Sequence, residues 1–220
     1  MASAWAVVVA GGEGRRFGGP KQFEPLGGRR VLDWAVAAAR AVVDDVVVVL
    51  PPHVLADPSY PPGATRVAAG GATRAASVRA GLALVPEDVE VVLVHDAARP
   101  FASPALFQAV LEAVHAGADG AVPGMPLADT VKRVQGADVV ATLPRDELVA
   151  VQTPQAFRAA VLRRAHRGAP EATDDAGLLE AIGARVVVVP GEPRNLKITG
   201  AEDLGRLESW AAEAAASLQR

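Results

Sequence analysis

The sequence predicts an α/β fold: a mostly parallel sheet with helices on both faces, and one projecting β-arm. Three observations predict it. Six short apolar runs alternate with stretches of helical period along the 220 residues, the order expected of strand–helix–strand units. The runs, such as "AVVVA" and "VVVVL", are continuous rather than alternating, as in strands buried on both faces. Residues 124–152, "GMPLADTVKRVQGADVVATLPRDELVAVQ", break the alternation and have too little apolar periodicity to cover a sheet.

Taken in order, "AWAVVVA" (4–10) is the first strand and runs into a loop with five glycines. A helical stretch at 30–42 leads to the strand 46–50, and a short strand at 66–69 precedes a helix over 73–84. The run "VEVVLVH" (89–95) is the central strand, followed by a helix over 103–116 and the strand 120–123. The arm then reads as two extended stretches about a Gly136–Ala137–Asp138 turn. Thr153 before Pro154 predicts the N-cap of a helix over 155–167. Thr173 reads as the cap of a helix over 174–182, the strand 185–189 follows, and Thr199 with Glu202 forms a capping box for a last helix over 201–218. Residues 1–220 are expected to form one domain, with 124–152 as an excursion.

Composition excludes several classes of function. The formal net charge of −3, with acids and bases mixed along the chain, offers no basic patch for nucleic acid and no polybasic tail for a membrane. With no cysteine there is no thiolate nucleophile, disulfide or cysteine metal site. "MASAWAVVVAGG" has no charged leader and enters the first strand at once, so a cytoplasmic protein is expected. The cations comprise 19 arginines and three lysines, at 21, 132 and 197, and Asn195 is the sole asparagine.

In open parallel sheets ligands sit beyond the carboxyl ends of the strands, so the loop "AGGEGRRFGGPKQF" is the first candidate site. It fails the dinucleotide fingerprint twice: Phe17 stands where the third glycine belongs, and the second strand ends "VVVVLPPH" without an acid for the ribose. An NAD(P)-dependent oxidoreductase is thereby set aside. It also fails the P-loop pattern, since Lys21 follows Pro20 and precedes Gln22. What remains is a glycine-lined loop whose backbone amides can approach phosphates beside Arg16 and Lys21. Asp96 ends the central strand, where a carboxylate can hold Mg²⁺ among triphosphate oxygens or cap the following turn. His95 reads as a packed strand-end residue, because His53, His115 and His166 form no ligand spacing with it. In a chain that so favours arginine, lysine at 21 and 197 points to a need for a compact ammonium at both places.

The motifs "AGGEGRRFGGPKQF", "GGATRAASVRAGL", "VLVHDAARPF", "LPRDELVAVQTPQAFR", "ATDDAGLLEA" and "NLKITGAEDL" resemble, in order and spacing, the 2-C-methyl-D-erythritol 4-phosphate cytidylyltransferases of non-mevalonate isoprenoid synthesis. Two departures concern loop shape: Gly11 stands where the family usually has alanine, and the stretch from Arg16 to Lys21 is about two residues short. The resemblance implies a Rossmann-like fold of nucleotidyltransferase type. It implies transfer of the cytidylyl group of CTP to 2-C-methyl-D-erythritol 4-phosphate, with release of pyrophosphate and with Mg²⁺ as cofactor. By the same resemblance Arg16 and Lys21 are catalytic and Asp96 is the metal ligand. Ala10, Gly11, Gly12, Gly14, Gly71, Ala72 and Ser77 would hold the nucleotide, and Arg99, Arg145, Thr153, Thr173 and Lys197 the acceptor. It further implies a homodimer through the arm, with Arg145 entering the neighbour's site. A cytidylyltransferase for ribitol 5-phosphate has similar motifs, and a non-catalytic nucleotide-binding module would share the loop; both stay open on sequence.

Overall fold

The computed structural model describes residues 3–12, 14, 17–55 and 66–218, with side chains through Glu213. In chain order the strands and helices are β1 (Ala4–Val9), β2 (Pro25–Leu26), β3 (Arg29–Arg30), α1 (Val31–Arg40), β4 (Asp45–Leu50), β5 (Arg66–Ala69), α2 (Arg74–Leu82), β6 (Val91–Asp96) and α3 (Pro104–His115). There follow β7 (Gly120–Pro126), β8 (Val131–Gln135), β9 (Asp138–Leu143), β10 (Val149–Val151), β11 (Gln155–Arg158), α4 (Ala159–Ala165), α5 (Asp175–Ala181), β12 (Val186–Pro190) and α6 (Ala201–Leu218).

Among the described residues one sheet runs β10-β7-β11-β6-β1-β4-β5, with β12 paired to β7. The pairs β1–β4, β1–β6, β4–β5 and β7–β12 are parallel, whereas β11 runs antiparallel between β6 and β7. The valine-rich runs are continuous because both faces are covered. Ala4, Ala6 and Val8 of β1 pack with Leu32 of α1 and Phe107 of α3, while Trp5 and Val7 pack on the opposite face with Val78 of α2, Leu162 of α4 and Leu179 of α5. Successive side chains of a strand point to opposite faces, so along β1 both faces take apolar residues. The carboxyl ends of β1, β4 and β6 consequently lie side by side at one edge, where the site forms.

Four expectations are corrected. Residues 155–158 form β11 and the helix begins only at Ala159, so Thr153 caps no helix; its hydroxyl instead accepts the Asp96 backbone N–H at 3.0 Å. The apolar "QAF" is needed to fill the sheet between β6 and β7, and that tertiary demand overrides the Thr-Pro start signal. Asp174, not Thr173, caps α5, accepting the Gly177 N–H at 3.0 Å. At α6 the acid that receives the N–H groups of Thr199 and Gly200 is Asp203, at 2.7 and 3.0 Å, rather than Glu202. Those donors hold the Asp203 carboxyl below its ordinary range, although its burial acts the other way.

The arm is built as expected but rooted deeper. β7 continues to Pro126, and β10 returns against its residues 124–126, so the ends of 124–152 belong to the main sheet. Between them β8 and β9 form an antiparallel hairpin in which Gln135 pairs with Asp138, leaving Gly136 and Ala137 as the turn. Val134, Val139 and Val140 on it are 57%, 61% and 47% exposed.

Candidate active site

The glycine loop keeps its shape through its own sequence. Gly14 has φ +65°, and a Cβ there would meet the Gly19 carbonyl oxygen at 1.6 Å, so only glycine fits. Its carbonyl accepts the N–H groups of Phe17 and Gly18 at 2.8 and 3.0 Å. The buried Gln22 side chain donates to the carbonyls of Ala10 and Gly12 at 2.7 and 3.0 Å, tying the far end of the loop to its start. Opposite, Ser77 of α2 accepts the Gly71 N–H at 3.1 Å and donates to the Thr73 carbonyl at 2.9 Å. A Cβ on Gly71 would strike that of Ala76 at 2.5 Å, and one on Gly11 would stand 3.3 Å from the Ser77 hydroxyl. Glycine in place of alanine at 11 therefore relaxes a tight approach between the two loops.

Between these loops lies a cavity of about 730 Å³, lined by Ala10, Gly11, Gly12, Gly14, Lys21, Gly71, Ala72, Ser77, Asp96 and Lys197 among others. A second cavity of about 240 Å³ adjoins it, with Arg99, Thr153 and Thr173 in its wall. Arg74, Asp96 and Lys197 line both. They are the shared wall.

Asp96, at the end of β6, is the electrostatic centre of that wall. Its Oδ1 accepts from Arg74 Nε at 3.2 Å and its Oδ2 from Lys197 Nζ at 2.6 Å. Burial favours the neutral acid, but Arg74, Lys197 and Arg99 together hold the carboxyl well below the usual carboxylate range. Arg99 is shifted downward by burial, which Asp96 opposes, and its Nη1 donates to the Asn195 carbonyl at 2.7 Å. His95, fully buried, is lowered by burial to about 4. Its Nε2 lies 3.1 Å from the Arg99 carbonyl and its Nδ1 3.1 Å from the Thr153 hydroxyl. A carbonyl only accepts, so the proton sits on Nε2 and Nδ1 receives the Thr153 O–H. The segment carrying Lys197 is stitched in place as well: Asn195 Nδ2 donates to the Thr153 carbonyl at 2.8 Å and to Gln152 Oε1 at 3.1 Å, and Lys21 Nζ donates to the Ile198 carbonyl.

The family model for 2-C-methyl-D-erythritol 4-phosphate cytidylyltransferase matches residues 4–213. The chain belongs to this family. The cytidylyltransferase fold is seen again in a solved structure of 2-C-methyl-D-erythritol 4-phosphate cytidylyltransferase from Thermus thermophilus, 40% identical, with a TM-score of 0.80, covering 94% of this chain and 98% of that one. The chain is 47% identical over 206 residues to a cytidylyltransferase of that name from Rhodococcus opacus, covering 90% of this chain and 91% of the relative. It is 45% identical over 231 residues to a bifunctional enzyme IspD/IspF from Solidesulfovibrio magneticus, covering 96% of this chain but 58% of that protein. The chain thus spans little more than half the length of the bifunctional relatives it matches.

Of the cytidylyltransferase site residues expected from sequence, the structure brings all but two to the paired cavities. Arg16 lies outside the described residues. Arg145 lines neither cavity; it sits on the arm, where its guanidinium donates to the Ala128 carbonyl. Sequence reasoning missed the supporting side chains Gln22, Arg74, Gln152 and Asn195. Asn195 had a signal, being the sole asparagine of the chain; Arg74, one of 19 arginines, had none.

Proposed function

We propose that this chain transfers the cytidylyl group of CTP to 2-C-methyl-D-erythritol 4-phosphate, giving 4-diphosphocytidyl-2-C-methyl-D-erythritol and pyrophosphate. The observation that carries the reading is the pair of adjoining cavities sharing the wall Arg74–Asp96–Lys197. One cavity is bounded by glycine-rich backbone, the other by Arg99, Thr153 and Thr173, and a phosphate in the second can meet a triphosphate in the first.

The chemistry is in-line attack of the acceptor phosphate oxygen on the α-phosphorus, with the α–β bridging oxygen leaving on pyrophosphate. The nucleophile is already an anion, so no general base is required; positioning and charge neutralisation do the catalysis. Lys21 and Arg16 stabilise charge on the transferring and leaving phosphates, Arg16 by family resemblance alone. The nucleoside lies against Ala10, Gly11, Gly12, Gly14, Gly71, Ala72 and Ser77, where small residues leave the space a pyrimidine fills. Lys197 grips the acceptor phosphate, with Arg99 and Thr173 beside it. The Thr153 proton is committed to His95, so what this residue offers a polyol is a lone pair for one of its hydroxyls.

Asp96 is the carboxylate among the described residues of the larger cavity. One ionised carboxylate fits Mg²⁺, which keeps waters and takes phosphate oxygens rather than a protein cage. Bound there, the ion would neutralise triphosphate charge.

The arm completes the reading. An isolated two-stranded hairpin is marginal in water, and the valines on this one have no core of their own. Two chains embrace through their arms, and Arg145 of each reaches the acceptor cavity of the other. The test of the activity is pyrophosphate release over a grid of four nucleoside triphosphates and several polyol phosphates. CTP with 2-C-methyl-D-erythritol 4-phosphate is expected to exceed every other pair; faster turnover with ribitol 5-phosphate would reassign the acceptor.

A further inference from the structure

We propose that Arg74 is a positioning residue that fixes the Asp96 carboxylate between the two cavities, acting as the middle of a buried chain that runs from Asp96 to α5. The proposal rests on the nucleotidyl-transfer reading of the site. Arg74 is the first residue of α2, directly after Thr73, whose hydroxyl caps the helix. Its place is thus set by the same turn that carries Gly71 and Ala72. From there the guanidinium spans two carboxylates on separate elements: Nε is 3.2 Å from Asp96 Oδ1, and Nη1 is 2.7 Å from Asp175 Oδ2. Asp175, only 1% exposed, gives its other oxygen to His166 Nε2 at 2.9 Å.

The geometry separates Arg74 from the other cation on Asp96. Lys197 is 40% exposed at its side chain and holds Asp96 through one flexible ammonium. It is also the group assigned to the acceptor phosphate, so its ammonium is shared between Asp96 and that phosphate. Arg74 is less exposed, at 24%, and is clamped at its far end by a carboxylate that cannot move, because His166 and the first turn of α5 hold it. A planar guanidinium with two edges occupied has one orientation, and it imposes that orientation on both partners. When Lys197 divides its ammonium between Asp96 and a phosphate, Arg74 keeps the Asp96 carboxylate aimed. Because Asp175 follows Thr173 and Asp174, the same chain sets the acceptor wall at a constant distance from the nucleotide wall.

A buried ion pair that serves folding alone would look similar, and its loss strands buried carboxylates. The test therefore separates stability from turnover. The Arg74→Gln/Asp175→Asn double variant replaces charge with neutral hydrogen-bonding groups and relieves the stranded Asp175 carboxylate. It is expected to melt within a few degrees of the wild type and to bind CTP within about threefold, while kcat falls about a hundredfold, the loss typical of misplaced electrostatic machinery. A stable double variant with near-normal kcat would overturn the proposal. Arg74→Lys keeps the charge and loses the second edge; at least a tenfold drop in kcat is expected, and full rescue by lysine would also overturn it. A wild type that releases no pyrophosphate with any pair of substrates would refute the transfer reading itself. In that event the crystal structure of the Arg74→Lys variant still decides: an Asp96 carboxylate turned toward Lys197 supports positioning by Arg74, and an unmoved one contradicts it.

Discussion

The wall around Asp96 and the arm differ in how much of their chemistry one chain completes. At the wall Asp96 and Arg74 find opposite charges inside the fold: Asp96 has Arg74 at 3.2 Å and Lys197 at 2.6 Å, and Arg74 has Asp175 at 2.7 Å. On the arm Val134 and Val139 stand more than half exposed, and among the described residues Arg145 reaches its own Ala128 carbonyl and, at 3.9 Å, Asp146. Nucleotide chemistry that depends on preorganised charge is built where burial holds charges still. The arm has the opposite character: exposed apolar surface and a guanidinium held, among the described residues, by Asp146 beside it and by Ala128 at the other foot of the hairpin, the composition of a surface that is finished by a partner. The two halves of the proposed site therefore fail in different ways, and each can be broken separately.

The largest effect is expected at the contained half. Lys21→Ala should lower kcat by roughly 10²–10³, the usual loss for one electrostatic stabiliser at a leaving group, with little change in acceptor KM. Pyrophosphate release at saturating substrates measures it, and near-normal turnover would remove Lys21 from the mechanism.

Next comes the pH dependence of stability that burial of His95 creates. Its folded value, about 4, lies below the ordinary 6.5, so the unfolded chain binds the extra proton. Stability is therefore full above pH 6.5 and falls as pH drops toward 4, by up to about 3 kcal/mol at 1.36 kcal/mol per unit. Urea titrations across that window should show the loss in the wild type and a flatter profile in His95→Gln. Equal slopes would mean that His95 is not the group responsible.

Lys197→Ala addresses the shared wall from the acceptor side. Losing one charge-assisted hydrogen bond costs about 1.5–3 kcal/mol, so acceptor KM should rise roughly tenfold to a hundredfold while KM for CTP holds. A change confined to CTP would exchange the assignments of the two cavities. The smallest effect on the folded chain is expected on the arm. Val140→Asp should change monomer stability by less than about 0.5 kcal/mol, yet shift sedimentation from dimer to monomer; an unchanged sedimentation coefficient would separate the arm from assembly.

Much of this was legible in the sequence, and the part that was not has a physical cause. Unbroken valine runs could be read as strands because both faces of β1, β4 and β6 are buried. The glycine loop, Lys21, Asp96 and Lys197 declared themselves by local pattern. What escaped was whatever is decided by contacts distant in the chain: β11, which looks helical after Thr153–Pro154 until the sheet claims it, and the pairing of Arg74 with Asp175, 101 residues away. An arginine that bridges two carboxylates has no local pattern to distinguish it from one on the surface. The capping errors were of another kind: Asp174 displaces Thr173 because a carboxylate is the stronger acceptor for an amide at a helix N-terminus, and α6 begins at Ala201, which makes Asp203 rather than Glu202 the third helical residue that reaches back to the Gly200 amide.

The contrast between a contained wall and a borrowed arm is tested most directly by subunit mixing. Assayed with acceptor well below its KM, Lys197→Ala and Arg145→Ala homodimers should each be nearly inactive. In a mixed dimer one site joins the intact Lys197 of one protomer to the intact Arg145 of its partner. Random exchange makes about half the dimers mixed, each with one good site of two, so roughly a quarter of wild-type activity should return if the sites are independent. No recovery after verified subunit exchange would contradict the account, because Arg145 would then act, if at all, within its own chain.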